Sequence, residues 1–321
     1  MTFFKDKKVL VTGSTGLVGI NLLKRLSSSG AQIRAVYHFR KPVVRAGNIK
    51  YVKADLTRRA DCEKAVKGMD YVFHCAANTS GAAVMAKTPL VHVTPNIVMN
   101  AQLLEAAYFA RVKKFLWLSS STGYPPTGQR PVRESEMFDG EPYEKYFYVG
   151  WMKRYTEVLC RIYGEKLKRP MTTIVLRPTN IYGEYDDFHF ETSHVLPALV
   201  RKVVERQNPI VVWGKGKEVR DLIHVDDMVE VMCLAMRKIK TYSVFNVGLG
   251  KVYTVKDILK KTLLLDGYKK AKVVFDATKP QMIPVRCVDL GKMKKILKFS
   301  PRISIDQGLR RTIAWYRENP L

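Results

Sequence analysis

Residues 7–30 read "KKVLVTGSTGLVGINLLKRLSSSG", and the order of signals in this stretch decides the fold. A short apolar run, "VLV", ends at a glycine-rich turn. "LVGINLLKRL" then repeats its apolar residues at helical spacing until Gly30 stops it. The turn carries Gly13, Gly16 and Gly19 in TGxxGxxG spacing, with Ser14, Thr15, Leu17 and Val18 between them. Glycine at the first positions lets a pyrophosphate approach backbone N–H groups. The last lets the helix pack on its strand, and the helix N-terminus favours the negative charge. A glycine-rich turn alone says little, but between a strand and a helix it predicts a dinucleotide site.

Outward from that turn the alternation continues. "QIRAVYHF", "IKYVKAD", "DYVFHCAA" and "VKKFLWLSSS" read as strands, while "ADCEKAVKGM" and "NIVMNAQLLEAAYFA" read as helices. Strands alternating with helices imply a parallel, doubly wound α/β sheet of Rossmann type. After residue 178 turns become frequent, with helices expected near 194–206, 225–238, 254–263 and 305–317. This reads as a dinucleotide-binding domain over 1–178 with about 222–247, and a smaller α/β substrate lobe over 179–221 and 248–321.

The strand "AVYHFRKP" ends in His38, Arg40 and Lys41 and lacks the acidic residue that binds a ribose 2′-hydroxyl. Cations suit a 2′-phosphate, so NADP(H) is favoured over NAD(H). Asp55 and Leu56 in "ADL" are placed to meet the adenine. Cys75, Ala76 and Ala77 line the path toward the nicotinamide.

The formal charge is +26, from 55 Lys and Arg against 29 Asp and Glu. Such a surface attracts anions. The cations are spread along the chain, however, with no basic arm or aromatic-interleaved strand, so nucleic acid is not the expected partner. Five scattered cysteines without a CxxC pair suit reduced thiols and a cytoplasmic location better than disulfides or zinc. No stretch is long and apolar enough to span a bilayer. Asp226 and Asp227 in "HVDDM" read as a helix cap rather than a metal pair. In "ETSHVLPALV", Ser193 is the expected cap of the next helix.

Together "TGSTGLVG", "ADL", "HCAA", "NIVMNAQLLEAA", "LSSS", "LRPTNIYG" and "RDLIHVDD" resemble, in order and over nearly the whole chain, the extended short-chain dehydrogenase/reductases that act on nucleotide sugars. Residues 178–202, "PTNIYGEYDDFHFETSHVLPALVRK", are most similar to the members that epimerise and then reduce GDP-4-keto-6-deoxymannose with NADPH. The resemblance implies a GDP- or other NDP-hexose as substrate and a homodimer built on the helix bearing Lys153. It implies that Ser120 bonds the sugar oxygen, that Lys153 binds the nicotinamide ribose and that Asn96 supports the proton relay. Cofactor contact falls at Pro178. Substrate contacts fall at Asn180, Ser193, Arg201, Lys202 and Arg220, and His194 is an acid/base for epimerisation.

Two family positions are changed. The cysteine that works with the histidine is Thr122, and the tyrosine one turn before Lys153 is Val149. An alcohol is a poor base near neutral pH, and Val transfers no proton. In "YFYVGWMK" (146–153), Tyr148 lies about 140° around a regular helix from Lys153, and Tyr146 about 10 Å up the axis. Hydride transfer at the sugar C4 with a displaced donor (Tyr146, Tyr148, Thr122 or a water) is the leading expectation. The alternatives are an epimerase that moves only protons through His194 and a binder without turnover.

Overall fold

The computed structural model of the chain describes residues 2–79, 88, 90–279 and 282–321. Six strands, β1 (Lys8–Thr12), β2 (Gln32–Tyr37), β3 (Ile49–Lys53), β4 (Tyr71–His74), β5 (Lys114–Leu118) and β6 (Thr172–Pro178), are joined by the strand Ser243–Val247 in one parallel sheet. Read from one edge, Ser243–Val247 comes first, followed by β6, β5, β4, β1, β2 and β3. The α/β fold expected from the alternation is therefore present. The order reverses beside β1, which opens a crevice at the carboxyl ends of β1 and β4, where ligands bind in such sheets.

Side chains alternate across a strand, so each face of the sheet gathers its own core. Val9 and Val11 face Leu22 and Leu23 of the helix Leu17–Leu26, and Met228 and Met232 of the helix Val225–Lys238. Leu10 faces the other way, in a cluster with Leu103 and Leu104 of the helix Leu90–Phe109 and with Cys160 of the helix Phe147–Arg161. Burial on both faces is why these strands read as continuous apolar runs.

A third core collects Tyr182, Leu196, Leu199, Ile258, Leu259, Leu309 and Ile313. It lies among the helices Val195–Val204, Val255–Asp266 and Ile305–Glu318. Here Val219–His224 pairs with Asn180–Tyr182, Val252–Thr254 and Val285–Arg286. The segment containing Val288, Leu290, Met293, Leu297 and Phe299 returns to the first core. No described helix is long and apolar enough to cross a membrane.

Two helix starts differ from the sequence reading. At Val195–Val204 the N-cap position is His194, not Ser193, and its side chain makes no cap hydrogen bond, while Val225–Lys238 is capped by His224, not by Asp226 or Asp227. The His224 ring accepts from the Asp226 N–H at 3.2 Å, while the two aspartates stand in the first turn beside the positive helix end. Sequence preference favours Ser and Asp as caps, and neither helix start follows it. Asp227 accepts from the N–H groups of Arg302 and Ile303, and Asp226 pairs with Arg311.

Candidate active site

The glycine loop leaves β1 and turns sharply at Gly13, whose φ is +62°. A Cβ at Gly13 would sit 2.6 Å from the Ala76 nitrogen, and one at Gly19 would sit 2.1 Å from the Gly13 oxygen. Only glycine lets β1, the loop and the 75–77 segment come this close. Gly16 heads the first helix without any side-chain cap, leaving its N–H groups for a ligand. In the same loop the Ser14 hydroxyl is buried without a hydrogen-bond partner among the described residues. A cradle with free donors and an orphaned hydroxyl fits a dinucleotide pyrophosphate.

Behind the loop runs a chain of hydrogen bonds with a defined direction. Ala76 N–H donates to Thr12 Oγ1 at 3.1 Å, and Thr12 lies 2.7 Å from His74 Nδ1. His74 Nε2 is 2.8 Å from Asn100 Oδ1, whose amide donates to Thr156 at 3.2 Å. Asn100 Oδ1 only accepts, so Nε2 carries the ring proton and Nδ1 receives the Thr12 hydroxyl. Burial lowers the His74 pKa to about 4 and keeps the ring neutral. This chain ties the cofactor loop to the helix that bears Lys153.

Around the adenine end, Leu56 is buried, while Asp55 accepts from the Thr57 hydroxyl at 2.7 Å and from the Thr57 N–H at 3.0 Å. Those bonds hold its carboxyl below the usual range. Arg40 and Lys41 stand exposed beyond β2. Hydrogen bonds from Thr192 and His189 hold the Asp187 carboxyl below its usual range against its burial, and the charge of Arg40 adds to them.

At the end of β5 the consecutive serines separate. Ser119 donates to Glu157 at 2.5 Å, away from solvent. Ser120 Oγ accepts from the Thr122 N–H at 3.1 Å, and the Thr122 hydroxyl is buried with no partner among the described residues. Lys153 is buried, donates to the Leu118 carbonyl at 3.0 Å and lies 4.8 Å over the Trp117 ring. Burial lowers its pKa to about 8, opposed by the charge of Glu157. Asn96 accepts from the Asn78 N–H and donates to the Asn78 and His92 carbonyls, bracing the segment after β4.

Neither candidate tyrosine turns toward Lys153. A short 3₁₀ turn, Glu144–Tyr146, leads into the helix Phe147–Arg161, and no bulge rotates Tyr148 inward; the π-turn lies at the far end, over Ile162–Lys166. Tyr148 is exposed beside Phe147, Trp151 and Tyr155. Tyr146 is buried, which raises its pKa, and its hydroxyl lies in the field of Arg220 and Arg286 and against the backbone of Ile283. Val149 is half-buried.

Of the expected substrate contacts, Asn180 is paired in register with Leu222, and the Ser193 hydroxyl is buried without a partner among the described residues. His194 is open to solvent, yet the surrounding protein lowers its pKa. Arg201 is engaged with Glu205 at 2.9 Å and the Phe188 carbonyl at 3.1 Å, and Lys202 with the Val211 carbonyl at 2.5 Å.

Sequence reading named Arg220 but missed Arg286, which the pairing of Val285–Arg286 with Val219–His224 sets beside it in register. Arg220 donates to the carbonyls of Val219 and Ile283, and Arg286 to those of Pro125 and Tyr124. Neither meets a carboxylate among the described residues, and Arg286 Nε is buried without a partner. Burial lowers the Arg286 pKa to about 10, with Arg220 adding to the shift. The one available signal was an arginine inside the apolar run "IPVRCV". Two adjacent buried cations without a counter-charge cost several kcal/mol, which an anionic ligand offsets.

A glycine cradle at β1, hydroxyls at the end of β5 and a buried lysine bound to the last carbonyl of β5 fit a nicotinamide-dependent enzyme of the short-chain dehydrogenase/reductase type. The chain belongs to the NAD dependent epimerase/dehydratase family, whose model matches residues 9–248. It is an NAD(P)-dependent nucleotide-sugar epimerase/reductase of the GDP-L-fucose-synthase-like kind. It is 32% identical to putative GDP-L-fucose synthase 2 of Arabidopsis thaliana over 98% of this chain and 93% of that protein. Identity to GDP-L-fucose synthase of Escherichia coli (strain K12) is 31%, covering 98% and 97%. Among solved structures it is similar to UDP-glucose 4-epimerase of Thermotoga maritima with UDP-glucose, at TM-score 0.86 and 26% identity, covering 97% of this chain and 99% of that one.

Proposed function

We propose that the chain binds NADP(H) and a GDP-linked 4-keto-hexose, and that it epimerises and reduces the sugar at C4 without a tyrosine at position 149. The observation that carries this reading is the pair Arg220 and Arg286, buried, adjacent and lacking a carboxylate, with the Tyr146 hydroxyl beside them. Such a pair suits the diphosphate of a nucleotide sugar. The relatives named GDP-L-fucose synthase favour guanosine as the base.

The glycine loop and Ser14 hold the cofactor pyrophosphate, with Pro178 and residues 75–77 along its path. Arg40 and Lys41, exposed and without an acid at the end of β2, favour the 2′-phosphate. Bound there, the dihydronicotinamide supplies hydride. Ser120 and the unpartnered Thr122 hydroxyl hold the sugar oxygen, and Lys153 orients the ribose. Asn180 and Ser193 contact the sugar. Arg201 and Lys202 keep the wall of the nucleotide pocket in place. His194 moves protons at the carbon beside the ketone. The division into a cofactor domain and a smaller substrate lobe follows the sheets and cores already described. A homodimer fits the exposed apolar stripe of Trp151, Tyr155, Val158 and Ile162 along the helix. Five free cysteines fit a cytoplasmic setting.

Val149 favours a second reading, in which only protons move. Incubation with NADPH and GDP-4-keto-6-deoxymannose in D₂O separates the two by mass spectrometry of the sugar nucleotide. Reduction with deuterium uptake at carbon is expected. Uptake without reduction selects the proton-only epimerase, and neither change rejects both in favour of a silent binder.

A further inference from the structure

The crevice at the carboxyl ends of the strands has an opposite number at the amino end of the same sheet, where positive charge is concentrated. Residues 5–8, 67–70, 111–114, 166–171 and 238–242 lead into β1, β4, β5, β6 and Ser243–Val247 respectively. Because these strands are parallel, all five segments lie at one end of the sheet. They hold twelve Lys and Arg but only two acids, Asp6 and Asp70, and so supply ten of the chain's +26 formal charges.

Hydrogen bonds tie the segments into a row. The Lys8 carbonyl accepts from the Asp70 N–H at 2.8 Å, and the Asp70 carbonyl accepts from the Lys113 N–H at 2.9 Å. Lys114 Nζ donates to the Met236 and Ile239 carbonyls at 2.8 and 2.5 Å, and the Lys240 carbonyl accepts from the Thr172 hydroxyl at 2.8 Å. From β1 to Ser243–Val247 the row crosses four strand spacings, or about 19 Å. Little of its charge is used within the protein. Lys113 pairs with Asp70 at 2.8 Å, and Lys114 and Lys238 are spent on backbone carbonyls. The other nine cations make no ion pair among the described residues. A helix dipole accounts for a cation at Lys67, Lys166 and Lys238, which stand at helix ends. The rest lie outside any helix.

Two features select among polyanions. Ten of the twelve cations are Lys, a point charge, whereas Arg is the residue that forks onto phosphates and stacks on bases. Two residues before Arg111, Phe109 is 68% exposed at the end of the helix Leu90–Phe109. With Val66, Ala106 and Ala110 it lines a groove of about 360 Å³ whose wall includes Lys67. Lysines around an exposed aromatic ring and an apolar groove suit headgroups above acyl chains. Single-stranded nucleic acid calls instead for a series of stacking rings along a groove.

We propose that the amino end of the sheet docks the protein on an anionic lipid surface, with the lysine row over the headgroups and Phe109 at their boundary with the acyl chains. The crevice at the carboxyl ends then faces away from the bilayer and stays open to its ligands.

The test is flotation of the full chain with phosphatidylcholine vesicles, with and without about 30% phosphatidylserine, at about 0.1 M salt. Binding is expected to the anionic vesicles alone, and it is expected to disappear at about 0.5 M salt. The combined variant Lys168→Gln, Arg169→Gln, Lys240→Gln is expected to bind roughly 100-fold more weakly, at about fivefold per cation. The same change at three exposed cations of the other lobe, Lys256, Lys260 and Arg310, is expected to alter binding by less than about twofold. Phe109→Ser is expected to weaken binding roughly 10-fold. Circular dichroism is expected unchanged in every variant, because each replaced side chain is exposed. Absence of binding to anionic vesicles, equal losses in the two triple variants, or full affinity in Phe109→Ser overturns the proposal. Displacement from the vesicles by duplex or single-stranded nucleic acid at equal phosphate concentration also overturns it, and assigns the row to nucleic acid.

Discussion

Ser119 and Ser120 are neighbours in the chain and belong to opposite kinds of environment. Ser119 enters a closed network. Glu157 receives its hydroxyl and is gripped by Arg177, which also reaches the Tyr124 hydroxyl at 2.6 Å and the Glu134 carbonyl at 2.7 Å. Tyr124 donates to the Asn246 Oδ1, and Asn246 donates to the Val132 carbonyl. Ser120 accepts only from the Thr122 N–H, and Thr122, Ser193 and Arg286 each keep a buried polar atom without a partner among the described residues. Native proteins pair nearly all such atoms internally, so a cluster of exceptions marks where a ligand completes the set. The network is satisfied within the protein, whereas these atoms are not.

The sharpest way to break that contrast is within the network. Glu157→Gln leaves Arg177 buried without its counter-charge and is expected to cost about 3–5 kcal/mol of stability. Urea unfolding measures it, and a loss under 1 kcal/mol would remove the network's structural role.

Asp221 tests whether every orphan marks a ligand. Its Oδ1 accepts from Leu249 and Gly250, while its Oδ2 has no partner. Burial raises its pKa to about 7, so in the folded state Oδ2 keeps its proton well above the unfolded pKa near 3.8. A raised folded pKa contributes stability that is full below the unfolded value and is lost as pH rises through the folded one. From pH 5 to 7 that loss is roughly 2–3 kcal/mol for the wild type and absent in Asp221→Asn. Parallel pH profiles for the two proteins would contradict the assignment.

Gly19→Ala sharpens the contrast on the cofactor side. Its methyl meets the Gly13 oxygen and pushes the loop off its geometry. NADPH affinity is expected to fall roughly 10- to 100-fold, as for other overpacked positions, with circular dichroism unchanged. Fluorescence titration of NADPH reads it.

The sequence displayed the parts of this molecule that are local. The glycine loop follows from three glycines at fixed spacing, and the helix Val225–Lys238 runs over the residues its periodicity marks. The angular argument that kept Tyr148 from Lys153 also held, because the helix is regular there. What was hidden depends on pairing between distant segments. Arg286 reaches Arg220 only through sheet register, and Glu157 meets Arg177 from a different element. The N-cap positions of His194 and His224 were hidden because cap propensity favours the neighbouring Ser and Asp.

The measurement closest to the central claim is the stability and nucleotide affinity of Arg286→Met. If Arg286 is a strained cation waiting for a diphosphate, the variant without ligand unfolds at equal or higher urea concentration than the wild type. Its affinity for GDP, by calorimetry, falls about 10- to 100-fold. A variant that is several kcal/mol less stable and binds GDP as the wild type does would assign Arg286 to the fold and contradict the reading of the cleft.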